Sequence, residues 1–126
     1  MKYRTRKMVT PKDLNAIGTL FGGRVLDWID EEAYIYTTCQ LGTRDVVTRS
    51  IGRIDFTHGA KHGDIIEIGM ETLRIGVTSI TLSATIRNME TRNVITQVDD
   101  IVFVHMKDGK PAPHNSWVRS EDEKTN

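Results

Sequence analysis

The chain predicts an α+β domain in which one long helix is covered by an antiparallel sheet. Two patterns carry that expectation. A helical arrangement of apolar residues runs from about Gly23 to Leu41, and a two-residue alternation takes over after Gly42. Size is the third observation: 126 residues are enough for one core. No internal repeat or second domain is evident.

Residues 2–9 can add an edge strand. Thr10-Pro11-Lys12-Asp13 then reads as a helix start, with Thr10 as cap, Pro11 at the first helical position and Asp13 as the capping-box acceptor. That helix must be short, because Gly18 and Gly22-Gly23 interrupt it. The long helix follows and closes at Gly42. At 100° per residue, Asp27, Glu31 and Thr38 fill a narrow polar wedge. Val25, Leu26, Ile29, Ala33 and Tyr36 cover the opposite arc, with Trp28, Ile35 and Cys39 on the remaining side. A surface helix carries a wider polar half, so this one is expected to be mostly surrounded by protein. Two carboxylates break the pattern: Asp30 at the edge of the apolar arc and Glu32 within it.

Val46–Phe56, Ile65–Ile75, Thr78–Met89 and Val94–Met106 read as strands. In the third, Ile80, Leu82, Ala84 and Ile86 face one way, and Thr81, Ser83, Thr85 and Arg87 the other. Gly63-Asp64, Gly76, Thr91-Arg92-Asn93 and Lys107–Lys110 supply turns. The domain is assigned to residues 1–113, with a polar, mobile tail over 114–126.

Lys plus Arg and Asp plus Glu number 17 each, so the net charge is zero. The basic excess usual in nucleic-acid binders is missing. No apolar run approaches the ~20 residues that span a bilayer, and the basic start has no apolar stretch behind it, so no signal peptide is expected. The single cysteine, Cys39, excludes an intramolecular disulfide and a cysteine metal cluster. The expectation is a cytoplasmic protein without membrane or nucleic-acid partners.

Chemistry concentrates around the long helix. Two glycines at a helix start allow close backbone approach, and the unpaired N–H groups there favour negative charge, as in the oxyanion of acyl transfer. The plain alternative is that Gly22-Gly23 only turns the chain. Asp30 lies two turns further on, about 10 Å at ~1.5 Å per residue. A carboxylate on a mostly buried helix is either satisfied structurally or functional, and Glu32 is a rival by the same argument. His58 and His62 lie in a loop and lack the further ligands of a metal site. There is no G-x-S-x-G elbow. Cys39 is read as packing.

Asn15-Ala-x-Gly-x-x-Phe-Gly-Gly23, followed by Trp28-Ile-Asp30-Glu31, resembles the acyl-CoA thioesterase (acyl-CoA hydrolase) branch of the hotdog superfamily. Val47-Thr48, Arg53-Ile54-Asp55-Phe56, Gly63-Asp64, Gly76 with Thr78-Ser79, and Phe103-Val104 extend the similarity, which runs from about Val9 to Pro113. The resemblance implies a hotdog fold, a long helix wrapped by an antiparallel sheet. It implies homodimers, often assembled into hexamers, with active sites at the dimer interface. It implies hydrolysis of an acyl-CoA substrate to a fatty acid and CoA with no cofactor and no metal. Asp30 of one protomer and Asn15 of the other would form the catalytic pair. Gly22 and Gly23 amides would polarise the thioester, and Gly76, Thr78 and Ser79 would contact CoA. Asp30 would act as general base or as nucleophile.

Three positions depart from the family pattern: Gly59 where a proline is common, Val77 where an arginine often contacts the CoA phosphates, and Glu32 where a small or apolar residue is usual. A hotdog dehydratase is disfavoured, because no histidine occurs between Met1 and Phe56. A non-catalytic acyl-CoA-binding protein on the same fold is the alternative of a different class, and a purely structural oligomer the least specific one.

Overall fold

The computed structural model describes residues 1–116. The rest of the expected mobile tail, residues 117–126, lies outside the described residues. The order of elements is β1 (Lys2–Met8), a single 3₁₀ turn (Pro11–Asp13), α1 (Gly22–Leu41), β2 (Val46–Ile51), β3 (Asp55–Phe56), β4 (Ile65–Ile75), β5 (Ser79–Asn88), β6 (Val94–Lys107) and β7 (Lys110–Pro111).

The helix begins and ends where its glycines dictate. Phe21 is its N-cap in extended conformation, and Gly42 ends it in the left-handed region at φ 71°, donating its N–H to Thr38 O at 2.8 Å. Twenty residues make a rod of roughly 30 Å. Val25, Ile29, Ala33 and Tyr36 form one buried stripe along it. They face the inward alternation of the sheet: Ile66, Ile68 and Met70 of β4, Ile80, Leu82, Ala84 and Ile86 of β5, and Ile95, Ile101 and Phe103 of β6.

All strand pairings are antiparallel, in the order β1-β4-β5-β6-β2, with β3 and β7 also on β6. The edges of the main sheet are therefore β1 and β2. The sheet wraps only part of the helix. Leu26 is 38% exposed, Ile35 50%, and Cys39 is exposed. A single chain therefore leaves part of the helix's apolar surface uncovered. The strands cover the Val25–Tyr36 stripe, and the opposite side of α1 is left open between the two edges.

A correction concerns Val46–Phe56, expected as one strand. It divides at Gly52. The Gly52 N–H donates to Asp100 O at 2.7 Å, and a Cβ on Gly52 would lie 2.9 Å from Asp100 Cβ. That close approach needs a glycine. Beyond it, β3 rejoins β6 at Gln97 and Thr96. The other strands follow the alternation within a residue or so. Residues 111–116 are held in place at several points: β7 pairs with β6, His114 Nε2 lies 2.7 Å from Gly76 O, and Ser116 Oγ donates to Leu41 O at 2.7 Å.

Candidate active site

Asp30 stands half-buried where α1 faces β2. Thr48 Oγ1 donates to its Oδ1 at 2.7 Å, and its other oxygen has no partner among the described residues. It lines a groove of about 720 Å³ with Arg24, Trp28, Tyr34, Thr48 and Phe103. Lys7 of β1 and Val46 of β2 line the same groove, which is thus the open side of the wrap. Thr48 belongs to the Val47-Thr48 pair noted in the sequence, but its contact with Asp30 was not foreseen. Its signal was a hydroxyl on the strand that follows the helix.

Gly22 and Gly23 are the first two residues of α1, and neither N–H has a hydrogen-bond partner among the described residues. These are the donors that a helix start leaves unpaired. A Cβ on Gly22 would lie 3.4 Å from the Phe56 ring, in ordinary contact with it, so the ring packs directly beside the helix start. Gly22 lines a pocket of about 290 Å³ with Thr19, Phe56, His58, Ala60 and Ile95.

Asn15 organises the loop leading to the glycines. Its Oδ1 accepts from the N–H of Ile17 at 3.1 Å and of Thr19 at 3.0 Å, and its Nδ2 donates to Thr19 Oγ1 at 2.9 Å. Gly18 makes the turn possible at φ 83°.

Beneath this loop lies Asp13, which sequence reading treated only as a cap. Its carboxylate accepts from the Thr10 N–H and hydroxyl, both at 2.9 Å, and pairs with Arg24 Nε at 3.2 Å. Its backbone carbonyl accepts the Phe21 N–H at 2.8 Å. Asp13 thus ties the residue preceding Gly22 to the turn before Asn15. Burial pushes its carboxyl up, but the Thr10 hydrogen bonds and the charges of Arg24 and Lys12 outweigh that and hold it below the ordinary 3.8. The contact with Arg24 was legible only in three dimensions.

Gly76, Thr78 and Ser79 form the β4–β5 hairpin. The Gly76 N–H donates to Ser79 O at 2.9 Å, and a Cβ on Gly76 would fall 2.5 Å from Ser79 Oγ, so a larger residue there would have to turn the Ser79 hydroxyl away. Ser79 is opposite Val104, which is opposite Val47, just past the C-terminal end of α1. Phe56 and Ile95, neighbours of Gly22, lie towards the other end of β6. Within one protomer, therefore, the hairpin and the glycine pair flank opposite ends of a helix roughly 30 Å long. Asp30 lies between them, in a groove whose lining includes neither Asn15 nor Gly22. The predicted site residues are not brought together by a single chain.

Glu32 receives a hydrogen bond from Thr5 Oγ1 at 2.8 Å and lines a pocket of about 140 Å³ with Arg4, Ile35, Tyr36, Cys39 and Met70. Asp27 and Glu31 are exposed, as their wedge predicts. No described helix is long and apolar enough to cross a membrane.

Residues 17–95 match the model of the thioesterase superfamily. The chain belongs to that superfamily. A Buchnera aphidicola protein described as an uncharacterized acyl-CoA thioester hydrolase is 31% identical over 81 residues, 64% of this chain and 59% of that protein. The chain thus matches less than two thirds of that relative's length. Among solved structures, an apo-hexameric acyl-CoA thioesterase superposes with a TM-score of 0.80 at 32% identity, covering 95% of this chain and 80% of the other. An acyl-CoA hydrolase from Staphylococcus aureus, solved with butyryl-CoA and CoA, gives 0.79 at 28% identity, over 95% and 76%. That hydrolase has also been crystallised with an aspartate or an asparagine replaced by alanine, two residues fifteen positions apart. This superfamily member has the hotdog fold, and its relatives are acyl-CoA thioester hydrolases.

Proposed function

We propose that the protein hydrolyses acyl-CoA thioesters at sites shared between two protomers, with Asp30 as the catalytic carboxylate. The observation that carries this reading is the separation itself. Asp30, with one oxygen uncommitted, opens onto the uncovered side of α1, while Asn15 and the Gly22-Gly23 amides occupy the helix start. A second copy on the open side supplies what one chain lacks. Asn15 and Asp30 are fifteen residues apart, as are the two substituted residues of the staphylococcal hydrolase, and the hexameric relative supports an assembled state.

In the proposed reaction the thioester carbonyl oxygen faces the Gly22 and Gly23 N–H groups. Charge developing on that oxygen meets oriented donors at the positive end of a helix. Asp30 takes a proton from water, whose oxygen adds to the carbonyl carbon, or it adds there itself to give an anhydride that water then opens. In either route the C–S bond breaks, CoA leaves as a thiolate and takes up a proton, and the acid is released. Asn15, held by Thr19, orients the water or the thioester through its remaining amide hydrogen. Gly76, Thr78 and Ser79 receive the CoA portion. Thr48 fixes the Asp30 rotamer while leaving one oxygen for chemistry.

Two measurements test the reading. Free thiol should be released from a panel of acyl-CoAs, and the profile gives the chain length. Separately, inactive Asn15→Ala and Asp30→Asn proteins are refolded together. In a two-fold dimer one mixed site carries both lesions and the other neither, so about a quarter of all sites should be intact. Activity no greater than the parents' sum, with mixed dimers verified by mass spectrometry, would remove the shared site.

A further inference from the structure

On the outer face of the sheet, three arginines converge on one carboxylate. Arg6 of β1, Glu67 of β4 and Arg87 of β5 stand directly opposite one another on adjacent strands. Arg87 Nε reaches Glu67 Oε1 at 2.8 Å, Arg92 Nη1 of the β5–β6 turn reaches the same oxygen at 3.6 Å, and Arg6 Nε reaches Oε2 at 3.4 Å. Glu67 is buried.

The three arginines are not equivalent. Arg87 has only 23% of its side chain exposed, makes the short hydrogen bond, and lies 3.6 Å from the centroid of the Tyr3 ring. It neutralises Glu67 one for one. Arg6 and Arg92 are 63% and 66% exposed and reach the carboxylate from two sides through longer contacts, Arg6 by a 3.4 Å hydrogen bond and Arg92 by an ion pair at 3.6 Å. One carboxylate against three guanidinium groups leaves a surplus of two positive charges at one spot, in a chain whose net charge is zero.

The backbone is shaped around this cluster. The β1–β4 register shifts between Tyr3 and Thr5, and this bulge turns Tyr3 to the same face as Arg6, whereas strict alternation would point it inward with Thr5. Thr5 does point inward, to Glu32 on the helix. Gly69, opposite Tyr3, supplies the space: a Cβ there would lie 2.9 Å from the Tyr3 ring. Bulge and glycine together bring the ring under Arg87, and Arg87 in turn is held on Glu67.

We infer that Arg6 and Arg92 form a binding site for a phosphomonoester dianion, with the Tyr3–Arg87–Glu67 stack as its rigid floor. Two planar forks approaching from opposite sides match a doubly charged tetrahedral anion in charge and in donor geometry. The phosphate can be free or can belong to a larger ligand such as the 3′-phosphate of CoA, and binding measurements separate these sources. Calorimetry on the intact protein uses inorganic phosphate, CoA and 3′-dephospho-CoA as probes, with Arg6→Gln/Arg92→Gln as the variant. Arg87 and Glu67 are left in place, and the unfolding midpoint checks that the fold is kept. Wild type should bind phosphate, and the double variant should lose about tenfold or more in affinity, the worth of one strong charge-assisted hydrogen bond. CoA binding more tightly than dephospho-CoA, with the preference gone in the variant, identifies the CoA phosphate as the source. Phosphate binding without such a preference identifies the free anion. No phosphate binding by wild type, or binding unchanged in the variant, overturns the site. These readouts do not depend on turnover, so they stand or fall apart from the thioesterase reading.

Discussion

Two aspartates on either side of the helix start show how the same side chain serves two ends. Asp13 is 3% exposed, and its carboxylate is engaged by Thr10 twice and by Arg24. Asp30 is half-buried, holds one hydrogen bond from Thr48 and faces a groove. A buried carboxylate with both oxygens engaged by its own chain fixes backbone and is closed to a substrate. A carboxylate with one oxygen anchored and the other open can accept a proton or attack a carbonyl. The difference is one of remaining capacity, and it cannot be inferred from residue type.

The sharpest way to break that contrast is Asp30→Asn. It keeps size and the Thr48 contact but removes the base, so kcat should fall by about 10²–10⁴-fold with substrate affinity largely kept. Steady-state kinetics alongside direct acyl-CoA binding measures both quantities. Near-normal turnover in a folded variant would move the role to Glu32 or end the mechanism.

Asp13→Asn should act mainly on stability. It leaves buried donors mispaired beside Arg24, a loss of about 1–3 kcal/mol in denaturant unfolding at neutral pH. The pH dependence carries the sign. The folded carboxyl lies below its ordinary value, so its contribution is complete above that value and is lost as pH falls through the folded one. The deficit of the variant relative to wild type should therefore shrink below about pH 3.8. A deficit constant down to strongly acid pH would mean that charge plays no part.

Thr48→Val is the smallest change. Thr48 is exposed, so losing its hydrogen bond should cost stability only at the low end of about 0.5–1.5 kcal/mol, while the freed Asp30 rotamer should lower kcat a few-fold. An unchanged kcat would mean that Asp30 is oriented without Thr48.

Much of the fold was legible because its signals are periodic. Gly42 ended the helix where the pattern changed, and Ile80, Leu82, Ala84 and Ile86 took the inner face of β5 as their alternation required. The break at Gly52 was not legible, since it arises from contact with Asp100, nearly fifty residues away. The open side of α1 was legible only as an apolar surface wide enough to need cover. Helical phase reports how apolar a face is, but not whether the same chain covers it. At the candidate site, Asp30 and the glycine pair stood out as residue types out of keeping with their surroundings. Thr48, Arg24 and the Arg6–Arg87–Arg92 cluster did not, because each gains its meaning from a partner distant in sequence.

The strand order has a consequence for the sequence of events as the chain leaves the ribosome. β1 pairs with β4, and β2 with β6, so both edges wait for partners made much later. The helix likewise emerges before any strand that can cover its Val25–Tyr36 stripe. Of the long strands, β4, β5 and β6 each pair with the next one in sequence through a short turn, and they form the local unit on which collapse can begin. The core therefore closes only after β6 has appeared, and until then the helix carries an apolar stripe with no sheet of its own to shelter it.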